Sequence, residues 1–247
     1  MQRLIFLLAS GEPGSLEPAL RDREERLATV ARAAGASLRL AVQLEGDPLA
    51  AEAGGDGVRT IRPLHGVVDL TVPGEDPAPL LDAVADVASI IGDAVDWSAS
   101  SVAIGTVHEV LPTASDTLLL TLAANRLPAI DRAGFHDYWL NSHAALALSL
   151  LDDAAKGRMG YQQVHADEAA SAKATALAGA AASTFDGVLQ VCLAQIMDLP
   201  HLTVPGFAEA IMKDEEHFAD QSAEMFGAFT RTLPSTESSR STGGATS

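Results

Sequence analysis

Cysteine, aromatic side chains and positive charge are all scarce in this chain of 247 residues. Cys192 is the sole cysteine, so no disulfide can form within the chain, and we expect a reducing, cytoplasmic environment. Against 33 Asp and Glu there are only 16 Lys and Arg, which leaves a formal charge of −17. Such a field repels phosphate groups, so we expect neither a nucleic-acid partner nor docking on anionic membranes. No apolar run is long enough to cross a bilayer.

The few aromatic residues are unevenly distributed along the chain. Only Phe6 and Trp97 precede residue 112, and all the others follow it. Hydrophobic residues make up 47% of the chain and charged residues 20%, so the chain can bury a sizeable core. Because aromatic rings commonly line ligand pockets, we expect the functional site in the second half.

Hydrophobic periodicity predicts the element order β-α-β-β-α-β twice in succession. In the first copy, strands are predicted over 2–9, 38–44, 67–72 and 102–107, and helices over 16–34 and 77–91. In the second copy, strands are predicted over 117–124, 160–165, 185–195 and 224–233, and helices over 131–154 and 205–217, with an Ala-rich helix or excursion at 168–182.

Two such units in tandem predict an α+β fold of ferredoxin-like units. Helices cover only one sheet face of each unit, so we expect the two antiparallel sheets to cover each other as an α/β barrel. The predicted division is a first domain over 1–112, a second over 113–233 and a disordered tail over 234–247.

The passage FHDYWLNSH, residues 135–143, carries the densest chemistry. Phe135, Trp139 and His143 are four residues apart, so they form one stripe along the predicted helix. Leu146 and Leu150 continue that stripe and turn it toward the sheet. The residues expected on the solvent side are His136, Asp137 and Asn141. A histidine on such a face is either a catalytic group or a hydrogen-bonded core residue.

The strand GYQQVHAD, residues 160–167, adds further polar groups. A period of two places Tyr161, Gln163 and His165 on one strand face. Because that face meets the inward side of the preceding helix, we expect His143 in one pocket with Tyr161 and His165, where these groups can transfer protons. The alternative is that Tyr161 only packs and that His165 lies in water at the strand end.

These motifs resemble those of an EthD-type domain, a branch of the dimeric α/β barrel superfamily. The resemblance covers residues 117 to about 230. It rests on the F-x-x-Y-W-x-x-x-H helix at 135–143, the Tyr-x-x-x-His strand at 161–165, the FDGV segment at 185–188 and the DEEHFAD segment at 214–220. Ala144 and Ala145 follow the helix histidine, where the family often has a proline. The first half resembles the family only as a degenerate copy without the W-x-x-x-H helix, so we expect one pocket per chain.

The resemblance implies a small-molecule pocket between helices and sheet, and relatives that include cofactor-free lyases, dehydratases, isomerases and cyclases. It makes His143 the general acid or base, Tyr161 the proton donor or oxyanion partner, and His165 the residue that orients them. On the same basis, Asp186 and Asp214 anchor polar groups of the ligand. The alternative for these two carboxylates is a turn at a strand end and a charge at a helix end.

Three aromatic residues are the predicted ligand platform: Phe135, Tyr138 and Trp139. We expect no metal site, although His143, His165, His201 and His217 fall in one half, because their spacing matches no ligand motif. No phosphate-binding glycine loop is present either, so we expect no cofactor.

The sequence therefore predicts a cofactor-independent lyase that acts on an aromatic or polyketide-like small molecule by His/Tyr acid–base catalysis. The alternatives are an isomerase or cyclase for the same substrate class, a non-catalytic accessory binding protein of a catabolic pathway, and an oxygen-using monooxygenase. A homodimer is the expected assembly.

Overall fold

In the part of the chain that the structure describes, nine β-strands form one continuous sheet, and eight of them close it into a barrel. The computed structural model describes residues 1–12, 14–52, 60–113, 117–181, 185–195 and 205–235. The strands are β1 (Gln2–Leu8), β2 (Ser37–Gln43), β3 (Ile61–Arg62), β4 (Gly66–Val72), β5 (Ser101–Leu111), β6 (Leu118–Ala124), β7 (Met159–Ala166), β8 (Gly187–Leu193) and β9 (Met225–Thr232). The helices are α1 (Leu16–Ala33), α2 (Pro48–Glu52), α3 (Ala78–Ile91), α4 (Arg132–Tyr138), α5 (Ala144–Ser149), α6 (Asp153–Lys156), α7 (Glu168–Ala178) and α8 (Phe207–Glu215). A 3-10 turn, Gly92–Ala94, follows α3, and a π-helical turn, Trp139–His143, joins α4 to α5.

Each half of the chain folds as a four-stranded antiparallel unit with the same strand order. The first unit has the order β2-β4-β1-β5 and the second β7-β8-β6-β9, so the first and third strands of each unit are central. β5 pairs with β7, and β9 pairs with β2, which joins the two sheets along both sides. The short β3 adds to β9 outside the ring. The predicted α+β fold of tandem ferredoxin-like units in an antiparallel barrel is confirmed.

The strands separate two apolar cores because successive side chains point to opposite faces. On β1, Leu4 and Phe6 point outward to the helices, and Ile5 and Leu7 point into the barrel. Helices cover one face of β1 and the opposite barrel wall covers the other, so the whole strand is buried. This explains why its sequence is a nearly continuous apolar run rather than an alternating one.

The Ala-rich segment of the second half is a helix, α7, and it packs on the first unit. Its residues Ala170, Ala174 and Ala178 recur every fourth position and join the core formed by α1, α3 and the outer face of the first sheet. Small side chains allow this helix to lie close to β5 and α3. α7 thereby adds to the apolar core between the helices and the first sheet.

One end of the barrel interior is polar and links the two units. Arg3 on β1 donates from its guanidinium to the side-chain oxygens of Gln162, at 2.9 Å, and Gln190, at 2.6 Å. Arg39 on β2 forms an ion pair with the buried carboxylate of Asp69 on β4. Because these groups bond one another across the interior, the barrel is a packed core at this end and not a ligand channel.

Several element boundaries differ from the sequence prediction. The helix predicted to run to residue 154 ends at Ser149, and α2 and β3 lie between the strands predicted over 38–44 and 67–72. The predicted domain boundary after residue 112 falls in the connection between β5 and β6, and the division into two domains stays a prediction. The predicted disordered tail lies outside the described residues from 236 onward. In the described part of the chain, no helix is both long and apolar enough to cross a membrane.

Candidate active site

A π-helical turn changes the register of the helix that carries the predicted motif. Asp131 begins α4, and its side chain accepts a hydrogen bond from the Gly134 N–H at 2.7 Å, as its capping role predicts. At the turn, the N–H of Ala144 bonds to the carbonyl of Trp139, five residues earlier. Such a turn inserts one extra residue, and it is frequent at functional sites.

Because of the extra residue, the buried positions after His143 are shifted by one residue relative to the predicted stripe. The buried positions that follow are Ala144, Ala147 and Leu151, whereas Leu146 and Leu150 are only half-buried. The predicted continuation of the stripe through Leu146 and Leu150 is therefore wrong, because it assumed 3.6 residues in every turn. With small alanines facing the sheet in place of leucines, a space remains beside His143.

His143 forms a hydrogen-bonded pair with a carboxylate from the other helix of the unit. Its Nδ1 lies 2.8 Å from Oδ2 of Asp214 on α8, and the imidazole is 6% exposed. The phenol of Tyr138 donates to the other carboxylate oxygen of Asp214 at 2.9 Å. Burial and this carboxylate raise the pKa of the Tyr138 phenol. Asp214 lies in the last turn of α8, as its alternative interpretation as a helix-end carboxylate predicts, and two side chains hold it there.

Tyr161 and His165 are linked through the side chain between them on β7. The amide Nε2 of Gln163 donates to the Tyr161 oxygen at 2.6 Å and to the Trp139 carbonyl at 3.0 Å. The amide oxygen of Gln163 lies 2.9 Å from Nε2 of His165. Since an amide oxygen only accepts, that nitrogen of His165 carries the proton. The prediction that these three side chains share one face is confirmed.

His165 does not reach the space beside His143. Its imidazole stacks on Trp139, with ring centroids 5.4 Å apart, and lies between His136 at 4.3 Å and His108 at 4.2 Å. Burial, reinforced by the two neighbouring imidazoles, lowers the pKa of His165 to about 3. The three rings form an imidazole stack, His108–His165–His136, at the junction of β5 and β7.

Sequence reasoning missed two members of the imidazole stack. His136 was expected on the solvent side, but it is half-buried and its Nε2 lies 2.7 Å from the carbonyl oxygen of Asp186. His108 comes from the first unit and meets His165 only because β5 pairs with β7. Burial lowers the pKa of both imidazoles. No local pattern identifies His108, since its partner is distant in sequence.

Asp186 is a structural residue in this arrangement. Its carboxylate forms ion pairs with Arg126, at 3.3 Å, and Arg132, at 2.9 Å, and accepts the backbone N–H of Arg126 at 2.8 Å. The carboxylate therefore connects the start of α4 to the start of β8. This corresponds to the strand-end role that was the alternative to ligand binding.

The predicted aromatic platform packs behind the site. Phe135 is fully buried, with its ring centroid 5.4 Å from that of Trp139 and 5.6 Å from that of Phe218. Tyr138 stacks on Phe218 at 5.2 Å. None of the three predicted platform residues is on the wall of the cavity described below. Their placement is that of a support for His143, not of a surface for a flat ligand.

Trp139 also explains the glycine of the FDGV segment. A Cβ atom on Gly187 would lie 2.3 Å from the indole ring of Trp139 and 3.0 Å from the carbonyl oxygen of Val164. Only a residue without a side chain lets the indole lie on the strand.

We expect Gly187→Ala to lower the free energy of unfolding by about 1–3 kcal/mol, because the indole ring of Trp139 must move. Urea denaturation measures this. Gly92→Ala, where a Cβ meets nothing within 4 Å, is the matched control and should leave stability unchanged or raise it; equal midpoints for the two variants would contradict the packing argument.

A cavity of about 250 Å³ lies between the second sheet, α5 and α8. Three polar side chains line it, His143, Tyr161 and Glu215, and the other lining residues are apolar: Leu120, Leu122, Ala147, Leu151, Met159, Leu189, Val191, Phe207, Ala208, Ile211 and Met212. Such a cavity, apolar with a few convergent polar groups, is typical of a small-molecule site. His143 and Tyr161 thus share one cavity, as predicted, and His165 lies outside it.

Metal ligation has no visible basis in the part of the chain that is described. No three His, Cys, Asp or Glu side chains among those residues converge as metal ligands do. His201, one of the four histidines weighed in the sequence, lies outside the described residues.

Comparison with known proteins supports the fold and one family. Residues 127–222 match the family model of the EthD domain. No curated protein matches the chain by sequence. Among solved structures, a chlorite dismutase from Candidatus Nitrospira defluvii aligns with a TM-score of 0.53 and 6% identity over 94% of this chain and 91% of its own. A heme-binding protein from Thermus thermophilus aligns with a TM-score of 0.50 and 10% identity over 98% of this chain and 94% of its own.

A protein from Lactobacillus acidophilus described as a candidate monooxygenase aligns with a TM-score of 0.50 and 9% identity, over 94% of this chain and 93% of its own. At these identities the likeness concerns the fold alone. Residues 127–222 match the EthD domain model, and the chain as a whole shares the fold of the chlorite dismutase structures.

Proposed function

We propose that this protein is a lyase that removes a proton from a small carbonyl or phenolic compound, with His143 as the base and Tyr161 as the hydrogen-bond donor. The observation that carries the proposal is the His143–Asp214 pair beside an apolar cavity that Tyr161 shares. An imidazole held by a carboxylate at the edge of a mainly apolar cavity is an arrangement that suits general-base catalysis.

The hydrogen bond to Asp214 fixes which nitrogen of His143 is the base. A carboxylate only accepts, so Nδ1 of His143 carries the proton and Nε2 carries the lone pair. Among the described residues, none forms a hydrogen bond with that Nε2. Nε2 is therefore the atom that takes the substrate proton, and Asp214 stabilises the imidazolium that results.

Tyr161 is suited to stabilise the oxyanion that forms. Burial raises its pKa to about 12, so the phenol keeps its proton at neutral pH. Its oxygen already accepts from Gln163, and no described group accepts its O–H. That hydrogen is available to a substrate carbonyl oxygen, and the bond strengthens as charge develops there.

The proposed elimination involves no net oxidation or reduction, so it needs no external oxidant or reductant. His143 takes a proton from the carbon next to the carbonyl, and the electron pair forms an enolate held by Tyr161. Collapse of the enolate expels the leaving group from the adjacent carbon, and the imidazolium returns its proton to that group, for example as water. The isomerase or cyclase alternative uses the same enolate, which is then protonated or closed at another carbon.

Deuterium exchange tests the proton transfer before a natural substrate is known. The probe is 2-tetralone, a bicyclic ketone with acidic protons next to its carbonyl. In D₂O, the protein is expected to accelerate loss of these protons, followed by NMR, over buffer alone. Saturable binding of 2-tetralone without faster exchange would instead support the alternative of an accessory binding protein.

Self-association of the protein into a homodimer stays a prediction.

A haem protein is the second candidate, and one feature favours it. Metal-ligating histidines commonly donate their other nitrogen to a carboxylate, as His143 does toward Asp214. The cavity of about 250 Å³ is, however, smaller than a haem macrocycle, and the leucines, valine and methionines on its walls occupy the remaining space. The residues present therefore do not fit haem. Titration with hemin, read at the Soret band, should give no saturable one-to-one complex.

A further inference from the structure

The charges on the cavity wall are of one sign. Glu215 is the only ionisable acidic side chain on that wall, and no Lys or Arg is among the described residues that line it. Behind His143 lies a second carboxylate, Asp214. A bound carboxylate or phosphate would therefore find no cationic side chain other than a protonated His143. Buried charges without a partner are strongly unfavourable, so this wall disfavours anions.

The size of the cavity limits the ligand. An apolar cavity of about 150 Å³ is known to bind benzene. The present cavity of about 250 Å³ has room for a substituted single ring or a bicyclic compound. Ala208 and Met212 on the rim are exposed, so one side of the ligand can reach solvent.

Glu215 occupies a position from which it affects the reacting end of the ligand. It follows Asp214 directly on α8 and is half-buried. Its charge, together with burial as the larger cause, raises the pKa of Tyr161. Glu215 and Tyr161 line the same cavity, so the carboxylate acts on the space that adjoins the phenol, which is the group proposed to hold the substrate oxygen. Coulomb interactions are stronger beside apolar walls than in bulk water.

We propose that Glu215 makes this cavity selective for uncharged ring compounds, ketones and phenols, against ring carboxylates of the same size. The inference rests on the proposed function only in that it concerns the same cavity and the same position of the substrate oxygen beside Tyr161. Glu215 is thus a specificity-determining residue: it repels anionic ligands and leaves neutral ones unaffected.

A matched pair of probes tests this selectivity by binding alone. The probes are 2-naphthol, which is neutral at pH 7, and 2-naphthoate, which has the same ring system and one negative charge. We expect the protein to bind 2-naphthol at least about tenfold more tightly than 2-naphthoate in calorimetric titration. In Glu215→Gln, the affinity for 2-naphthoate should rise about tenfold, while that for 2-naphthol should change less than about twofold.

The control variant is Glu209→Gln, which removes the same charge from an exposed position on α8 that does not line the cavity. It should leave both affinities unchanged. Unchanged 2-naphthoate affinity in Glu215→Gln, an equal gain in Glu209→Gln, or absence of 2-naphthol binding to the unmodified protein would each overturn the proposal. Retained 2-naphthol binding shows that the variants are folded. Charge-selective binding without deuterium exchange would leave the role of Glu215 standing and remove the proposed catalysis.

Discussion

Replacement of His143 by Gln is expected to lower enzyme-dependent deuterium exchange by about 10²–10⁴-fold, the usual contribution of a general base. A glutamine amide can still donate to Asp214, so the buried carboxylate keeps a partner, but the variant has no lone pair on a basic nitrogen. The loss should therefore appear in the rate and not in the binding of 2-naphthol. NMR exchange rates and calorimetric titration measure the two quantities separately.

Three further variants test whether the loss is specific to the His143–Asp214 pair. His217→Gln removes an exposed imidazole just after α8 and should leave the exchange rate unchanged. Asp214→Asn should lower the rate less than His143→Gln does, and ¹⁵N NMR should show a changed tautomer for His143. The double variant should be no slower than His143→Gln alone, because residues that act as a unit are not additive. An exchange rate in folded His143→Gln within a few-fold of the unmodified protein would refute the catalytic assignment.

Stability is expected to fall as the pH drops below about 6.5, and the imidazole stack is the main cause. Unfolded histidine binds a proton near pH 6.5, whereas folded His165 does so only near its lowered pKa of about 3. Between these values the unfolded state holds the extra proton, so acidification favours unfolding. From pH 6.5 to pH 4.5, His165 alone should cost about 2 kcal/mol. His108 and His136 act in the same direction, because burial lowers their pKa values as well.

Urea unfolding at several pH values between 7.5 and 4.5 measures this dependence. In His165→Phe, the ring still packs on Trp139 but cannot titrate, so the slope of unfolding free energy against pH should flatten. Near pH 7.5 the variant should be less stable than the unmodified protein, because the amide oxygen of Gln163 loses its partner, and this difference should shrink on acidification. The acidic limit of pH 4.5 keeps most of the contribution of the Glu17 and Asp96 carboxylates, whose pKa values are lowered, outside the measured range. Parallel slopes for His165→Phe and the unmodified protein would contradict the role of the stack.

Most of the secondary structure could be predicted because it is a local property. The repeat of β-α-β-β-α-β follows from apolar periodicity, and Asp131 is recognisable as a helix cap from its position before an apolar run. The shared face of Tyr161, Gln163 and His165 follows from the two-residue period of a strand. The helix after Asp131 was misjudged only beyond His143, since a π-helical turn has no sequence signal that periodicity detects.

The partners of the site residues could not be predicted in the same way. Asp214 reaches His143 from a helix 71 residues further along the chain, and His108 meets His165 from the other unit. Periodicity shows which side of an element is buried but not what lies opposite. His136 was placed in solvent for that reason, although the neighbouring strand and Asp186 enclose it.

The sequence by itself determined which reactive groups the chain has: an acidic chain with one cysteine, two units of the same plan, and a second unit that carries five of the seven histidines and both tyrosines. The tertiary structure alone decided how these groups are arranged. The pairing of β5 with β7 and of β9 with β2 closes the barrel, His165 lies in the imidazole stack, and His143, Tyr161 and Glu215 line one cavity, with Asp214 bonded to His143. The physical reason is that pairing of distant strands and helices depends on the shape of the whole barrel, whereas the elements themselves depend on near neighbours in the chain.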